Sequence, residues 1–359
     1  MSKRHGAAPP WRTAARQGGA LNPALAAGLL LLVLLTALAA VAARSAWVAR
    51  QAPPPAPLEP LAIATNTAYA GTCPVLAAQA RGYFRQQGIV ATVLSRSSGK
   101  AAMEAVLQGQ ANVATVADIP VMFAGLNDVP VAVIASIFRT ERDHGVVGRR
   151  DRGVRDPASL KGKRIGVTLD TSGHFALNAL INRQGLAPDE VKMRNYKPEE
   201  LGPALARGEI DAAAGWEPML GAMLAEQGGN GVAFNSADIY ESLYMVAGLR
   251  DYIAAHPASM QRLLRALIDG ARFCAEQPAA AQALLVSVAR HDADQLKAGW
   301  PGYHFAVALD QGLLLALEDE ARWAMKNQLT PRSDMPNYLN YLYLDGLRAV
   351  APAAVTVIH

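Results

Sequence analysis

The sequence predicts an α/β protein of two βα lobes with a cleft between them, a helical C-terminal tail and an N-terminal membrane helix. Three observations carry this. First, a ten-residue phrase nearly repeats. Gly109-Gln-Ala-Asn112-Val-Ala-Thr-Val-Ala-Asp118 returns 99 residues later as Gly208-Glu-Ile-Asp211-Ala-Ala-Ala-Gly-Trp-Glu217. In each copy a helix-like stretch ends at the Gly and a small apolar run reads as a buried strand. An acid with a Pro just beyond it (Pro120, Pro218) then opens a new helix. Second, no charge occurs from Gln17 to Ala43. Third, beyond Asp251 the chain turns to helical periodicity.

The leader explains the charge. Of the formal +4, residues 1–57 hold Lys3, Arg4, Arg12, Arg16, Arg44 and Arg50 and no acid, so the rest carries −2. That body has no basic footprint for nucleic acid. Hydrophobic residues are 51% and charged residues 18%, enough for a packed core and against wholesale disorder. Residues 1–20 form a basic cytoplasmic segment, 21–43 a membrane helix or signal segment, and 44–60 a Pro-rich linker. The apolar run exceeds a usual signal core, which favours an uncleaved anchor; either reading exports the body. This gives a periplasmic or extracytoplasmic location on the cytoplasmic membrane. Cys73 and Cys274 could pair there, but two cysteines fix nothing by spacing, and the simpler reading is two separate thiols.

Lobe 1 is read as 61–140 plus 245–359 and lobe 2 as 141–244. In lobe 1, Leu61–Ala64 is a strand, Pro74–Phe84 a helix, Val90–Leu94 a strand, Gly99–Gln108 a helix and Val113–Val116 a strand. Asp118–Leu126 is a helix, and Val131–Ile137 a strand whose unbroken apolar run suits a parallel sheet covered on both faces. Arg139–His144 is a polar crossing. In lobe 2, Gly145–Gly148, Arg164–Thr168, Val191–Arg194 and Asp211–Ala214 are strands. Gly173–Arg183, Glu199–Arg207 and Glu217–Glu226 are helices. Leu243–Leu249 returns to lobe 1. The tail is Pro257–Gln277, Pro278–Ala289, Asp292–Ala298, Asp310–Asn327 and Met335–Val350, with a short strand only at Val355–Ile358.

Four loops at the carboxyl ends of strands hold small polar residues, where open α/β sheets bind ligands. They are Thr65–Tyr69, Ser95–Gly99, Asp170–His174 and Gly215–Glu217. Ser98 before Gly99, and Thr171-Ser172 before Gly173, suit helix starts that receive an anion; the same residues also serve as N-caps. Asp118 and Glu217 suit helix starts in their own right. Trp216, in a Gly-Trp-Glu-Pro loop, is badly placed for a core and points to ligand contact or lobe closure. His144 and His174 could meet an anion. No Gly-x-Ser-x-Gly, P-loop, dinucleotide fingerprint or metal-ligand spacing occurs, so no enzyme, metal or cofactor is expected.

From Leu61 to Val350 the chain resembles the ABC-transporter solute-binding proteins of the nitrate/sulfonate/taurine type, a group that includes thiamine-pyrimidine synthase-like proteins. The resemblance rests on Arg81-Gly-Tyr-Phe84, Ser98-Gly-Lys-Ala-Ala-Met-Glu-Ala-Val-Leu-Gln-Gly-Gln110 and Ala117-Asp-Ile-Pro-Val-Met122. Leu160-Lys-Gly-Lys-Arg-Ile-Gly166 and Asp211-Ala-Ala-Ala-Gly-Trp-Glu-Pro218 complete it, in this order and spacing. It implies a type II periplasmic-binding fold that closes on its ligand. It also implies a role as the extracytoplasmic solute-binding component of an ABC importer, with permease and ATPase subunits as partners. The ligand would be nitrate-, sulfonate- or taurine-like, or a small heteroaromatic. The implied ligand positions are Thr67, Tyr69, Ser97, Ser98, Gly99, Asp118, Thr171, Ser172, Gly173, His174, Trp216 and Glu217. The acids at Asp118 and Glu217 suit a small anion only if they face away. Two rivals remain: a pyrimidine-synthase-like enzyme using His174 or Lys100, and a ligand-sensing ectodomain.

Overall fold

The computed structural model describes residues 32, 35–40, 44, 58–289 and 291–358. Met1–Ala56 and Pro57–His359 are separate compact units. In the first, residues 32, 35–40 and 44 are helical. The rest of the expected membrane helix, the basic segment and nearly all of the linker lie outside the described residues. Among the described residues no helix is long and apolar enough to cross a membrane.

The second unit holds two sheets. The larger has six strands: β1 (Glu59–Thr65), β2 (Ile89–Ser95), β3 (Val113–Ala117), β4 (Val131–Thr140), β10 (Ser242–Leu249) and β11 (His304–Ala308). Their order is β11-β4-β10-β3-β1-β2. The smaller has β5 (His144–Arg149), β6 (Arg164–Val167), β7 (Lys192–Asn195), β8 (Ala212–Trp216) and β9 (Gly231–Asn235), in the order β7-β6-β8-β5-β9. The duplicated phrase supplies β3 and β8, which are central in their sheets. Each is followed by a helix, α4 (Asp118–Leu126) and α7 (Met219–Gln227). Glu217–Pro218 is a cis peptide.

Small and β-branched residues explain the strands. Val113–Val116 and Ala212–Trp216 are buried throughout, which is the condition of a strand covered on both faces. The larger sheet closes one continuous core, with Ile63, Val113, Ile134, Met245 and Phe138 essentially inaccessible. The smaller sheet has apolar clusters on its two faces, around Ile165 and Leu177 on one and Leu201 and Ile210 on the other.

Several sequence expectations are corrected. The sheets are mixed: β1 runs parallel to β2 and β3, but β10 is antiparallel to β3 and β4, and β11 is antiparallel to β4. The apolar run of β4 reflects burial, not strand direction. The first helix is two, α1 (Cys73–Ala80) and α2 (Tyr83–Gln86). Gly82 between them has φ 74°, a left-handed conformation that a helix cannot continue through. Strands β9 and β11 were unforeseen. Residues 355–358 form no strand, only a bridge from Val355 to Leu309. Met335–Val350 shortens to α13 (Leu344–Val350), preceded by a single turn at Tyr338–Tyr341.

Cys73 and Cys274 are bonded, with Cα atoms 6.3 Å apart, contrary to the reading of two separate thiols. The bond joins α1 to α9 (Pro257–Glu276), the long helix that packs on it. It is wholly buried. Proximity of this kind arises only when the helical tail folds back on α1.

Candidate functional site

The carboxyl ends of β1, β3, β6 and β8 open onto a narrow cavity between the sheets. Asn66, Tyr69, Gly99, His144, Ser172 and Trp216 are among its lining residues. About 20 Å³ is open to water centres, room for about one water. Beyond Trp216 lies a wider space of about 760 Å³, bordered by Ser97, Pro198, Met219 and His291. Trp216 lines both and is buried.

Two helices begin at the cavity. α3 (Gly99–Leu107) is capped by Ser98, whose Oγ accepts from Ala101 N at 3.1 Å. A Cβ on Gly99 would come within 3.0 Å of the backbone at Val116 and Ala117, so glycine brings this helix end against β3. α5 (Ser172–Arg183) starts after Thr171. A Cβ on Gly173 would sit 3.1 Å from Gly215 Cα and 3.4 Å from the Trp216 ring. The first-turn N–H groups of a helix have no helical partner and carry its positive end, so both starts suit an anion.

Of the twelve anticipated residues, Tyr69, Ser98, Gly99, Thr171, Ser172 and Trp216 line the inner cavity. Gly173 stands against its Trp216 wall. Thr171 does not cap its helix; its hydroxyl donates to Thr168 O at 2.6 Å. Thr67 bonds Ser95 at 2.7 Å, and Ser97 is exposed at the outer space. Three residues are elsewhere. Asp118 is buried and accepts from Tyr240 Oη at 2.6 Å, Leu243 N at 2.9 Å and Ile119 N at 2.9 Å. Glu217 accepts from Gly221 N at 3.0 Å and borders a separate hollow. His174 packs edge-on against Trp323, 5.2 Å between centroids.

Burial sets the charge states. It pushes the His174 imidazole down to about 4 and raises the Glu217 carboxyl. Glu320, on α12 (Gln311–Lys326), is buried beside Asp118, and its carboxyl is held well above the usual range. With three donors, Asp118 keeps the pair's charge and Glu320 keeps the proton. Neither anticipated acid therefore faces the inner cavity.

The sequence reading missed Asp143 altogether and weighed His144 only as a lone histidine. His144 Nδ1 lies 2.6 Å from Asp143 Oδ1 and its Nε2 lies 2.8 Å from Ser172 Oγ; Tyr69 Oη donates to Asp143 Oδ2 at 2.5 Å. All four side chains are buried. The adjacent Asp-His pair was the only available signal. Lys100, named for the rival enzyme, lines the cavity, but its Nζ is held by Asp170 Oδ2 at 3.0 Å and Leu169 O at 3.3 Å. Among the described residues no cluster of metal-ligating side chains occurs.

The chain is similar to known binding proteins and to pyrimidine synthases. A taurine-binding periplasmic protein of Escherichia coli is 25% identical over 210 residues, 57% of this chain and 62% of that protein. A 4-amino-5-hydroxymethyl-2-methylpyrimidine phosphate synthase of Aspergillus parasiticus is 27% identical over 227 residues, 58% of this chain and 64% of that one. The match thus spans under two thirds of these relatives' length. The alkanesulfonate-binding protein SsuA of Xanthomonas axonopodis pv. citri, bound to MOPS, superposes with a TM-score of 0.70 at 20% identity. It covers 80% of this chain and 99% of its own, which establishes the periplasmic-binding fold. The NMT1/THI5 like family matches residues 70–281, from the loop after β1 well into the helical tail, and the chain belongs to that family.

Proposed function

We propose that this protein is the extracytoplasmic solute-binding component of an ABC importer, that it takes a small organosulfonate in the interlobe cleft, and that it delivers it to permease and ATPase subunits. The carrying observation is the inner cavity: two helix N-termini, at Gly99 and Ser172, open into it beside Trp216, and both anticipated acids are turned away. An anionic head would sit at the helix starts against Ser98, Thr171 and Ser172. Its organic tail would pass Trp216 toward the outer space. The relatives named for taurine and alkanesulfonate support the class of solute.

The described arrangement leaves room for about one water, so the solute enters only when the lobes part. We take the lobes as 61–140 plus 245–359 and 141–244, bridged in the closed form by Lys100 to Asp170 and by Phe175 against Trp323. The uncharged segment 21–43 would tether the protein to the membrane. A thermal-shift screen of the full-length protein with taurine and longer alkanesulfonates tests the reading. A solute-dependent rise in Tm is expected, because binding to the native state adds stability by mass action. No rise with any sulfonate at millimolar concentration overturns it.

A further inference from the structure

We infer that Asp143, His144 and Ser172 form a nucleophilic triad that hydrolyses small carboxylic esters entering the cleft, an activity beyond solute capture. The geometry assigns each role. Asp143 Oδ1 lies on His144 Nδ1 and so fixes that nitrogen as the N–H, which leaves Nε2 as the acceptor facing Ser172 Oγ at 2.8 Å. The residues are pinned. Glu217 N donates to Asp143 O at 2.8 Å, and Ser236 N and Oγ donate to His144 O at 2.9 and 3.1 Å. The second oxygen of Asp143 is taken by Tyr69. His144 and Ser172 line the inner cavity, so the nucleophile faces the space a solute would occupy. Ser172 is the first residue of a twelve-residue helix whose N-cap Thr171 makes no side-chain cap bond, and first-turn N–H groups of a helix, which lack helical acceptors, are the donors assigned to the oxyanion.

The step balances without a further reactant than water. As Ser172 Oγ bonds the ester carbonyl carbon, His144 Nε2 takes the hydroxyl proton and the carbonyl oxygen becomes the oxyanion. Its collapse breaks the bond to the alcohol oxygen, which leaves with the proton from His144. Water then attacks the acyl-serine and gives its proton to His144. The Ser172–acyl bond breaks, the acid departs, and the proton returns to Ser172.

The test is labelling of the full-length protein with a fluorophosphonate, read by peptide mass spectrometry, alongside turnover of p-nitrophenyl acetate. One adduct on Ser172 is expected, with turnover lost in Ser172→Ala. Labelling should slow about 100-fold or more in His144→Ala, the usual worth of a general base. To separate chemistry from folding, Ser172→Cys should be alkylated by iodoacetamide at least tenfold faster than Ser172→Cys/His144→Ala. Absence of an adduct on Ser172 in the native protein overturns the inference. So does equal alkylation of the two cysteine variants, and neither result bears on sulfonate binding.

Discussion

Tyr69 donates its hydroxyl to Oδ2 of Asp143 at 2.5 Å, and the other oxygen of that carboxylate holds His144 at 2.6 Å. One buried carboxylate thereby ties the loop after β1 in the larger sheet to the strand that begins the smaller one. Tyr69 is itself wedged edge-on between Phe138 and Tyr244, at 5.7 and 4.8 Å, so the donor is held as firmly as the acceptor.

Tyr69→Phe keeps the ring and removes the donor. It leaves a buried carboxylate oxygen short of one partner, which costs about 1–3 kcal/mol. Urea unfolding should show a lower midpoint with an unchanged slope. An unaltered midpoint would show that the hydroxyl contributes nothing.

The Cys73–Cys274 bond closes a separation of 201 residues. In the chain-entropy picture a loop of that length is worth about 5 kcal/mol. Cys73→Ser/Cys274→Ser should therefore unfold at a much lower denaturant concentration than the native protein. Equal midpoints would mean the bond does not form in solution.

Glu320 has its folded-state pKa raised well above the ordinary value by burial and by the neighbouring Asp118. A raised carboxyl binds its proton more tightly in the native state. Its contribution is present at low pH and lost as pH climbs above the ordinary carboxylate value. Glu320→Gln should flatten that loss, so that the variant gains on the native protein as pH rises above the ordinary carboxylate value. Parallel stability profiles would contradict the assignment of the proton to Glu320.

His174 runs the other way. Burial holds it near 4, so the unfolded chain takes up a proton that the native protein refuses. Its contribution is present above about pH 6.5 and is lost toward pH 4, at up to about 1.4 kcal/mol per pH unit. His174→Gln should reduce that slope; an unchanged acid limb would show that the imidazole is free to charge.

Much of this was legible in the sequence. Gly109 and Gly208 do end helices, and the runs after them are the buried central strands. Chain direction was not legible: Val131–Phe138 is apolar at every position except Ser136 because both faces are covered, and that pattern is the same for either orientation. Strand β9 follows Gly228-Gly229-Asn230, which reads as a helix stop, and its apolar run, Val232-Ala233-Phe234, is only three residues long in a strand that is half-buried to exposed. Asp143 lay in a stretch that reads as a polar crossing. Its burial is made tolerable by the neighbouring His144 and by the approach of Tyr69, 74 positions earlier, which the sequence does not announce. Similarly, nothing near Asp118 announces that Tyr240 and Leu243 will claim its carboxylate.

The cleft is best tested by calorimetric titration of the full-length protein with an alkanesulfonate series beginning at taurine, repeated on Trp216→Ala and Thr171→Ala. Single-site saturable binding is expected, weakened at least tenfold by Trp216→Ala, since the indole closes the inner cavity from the outer one. Binding that survives both substitutions unchanged, or no binding across the series, would contradict the account.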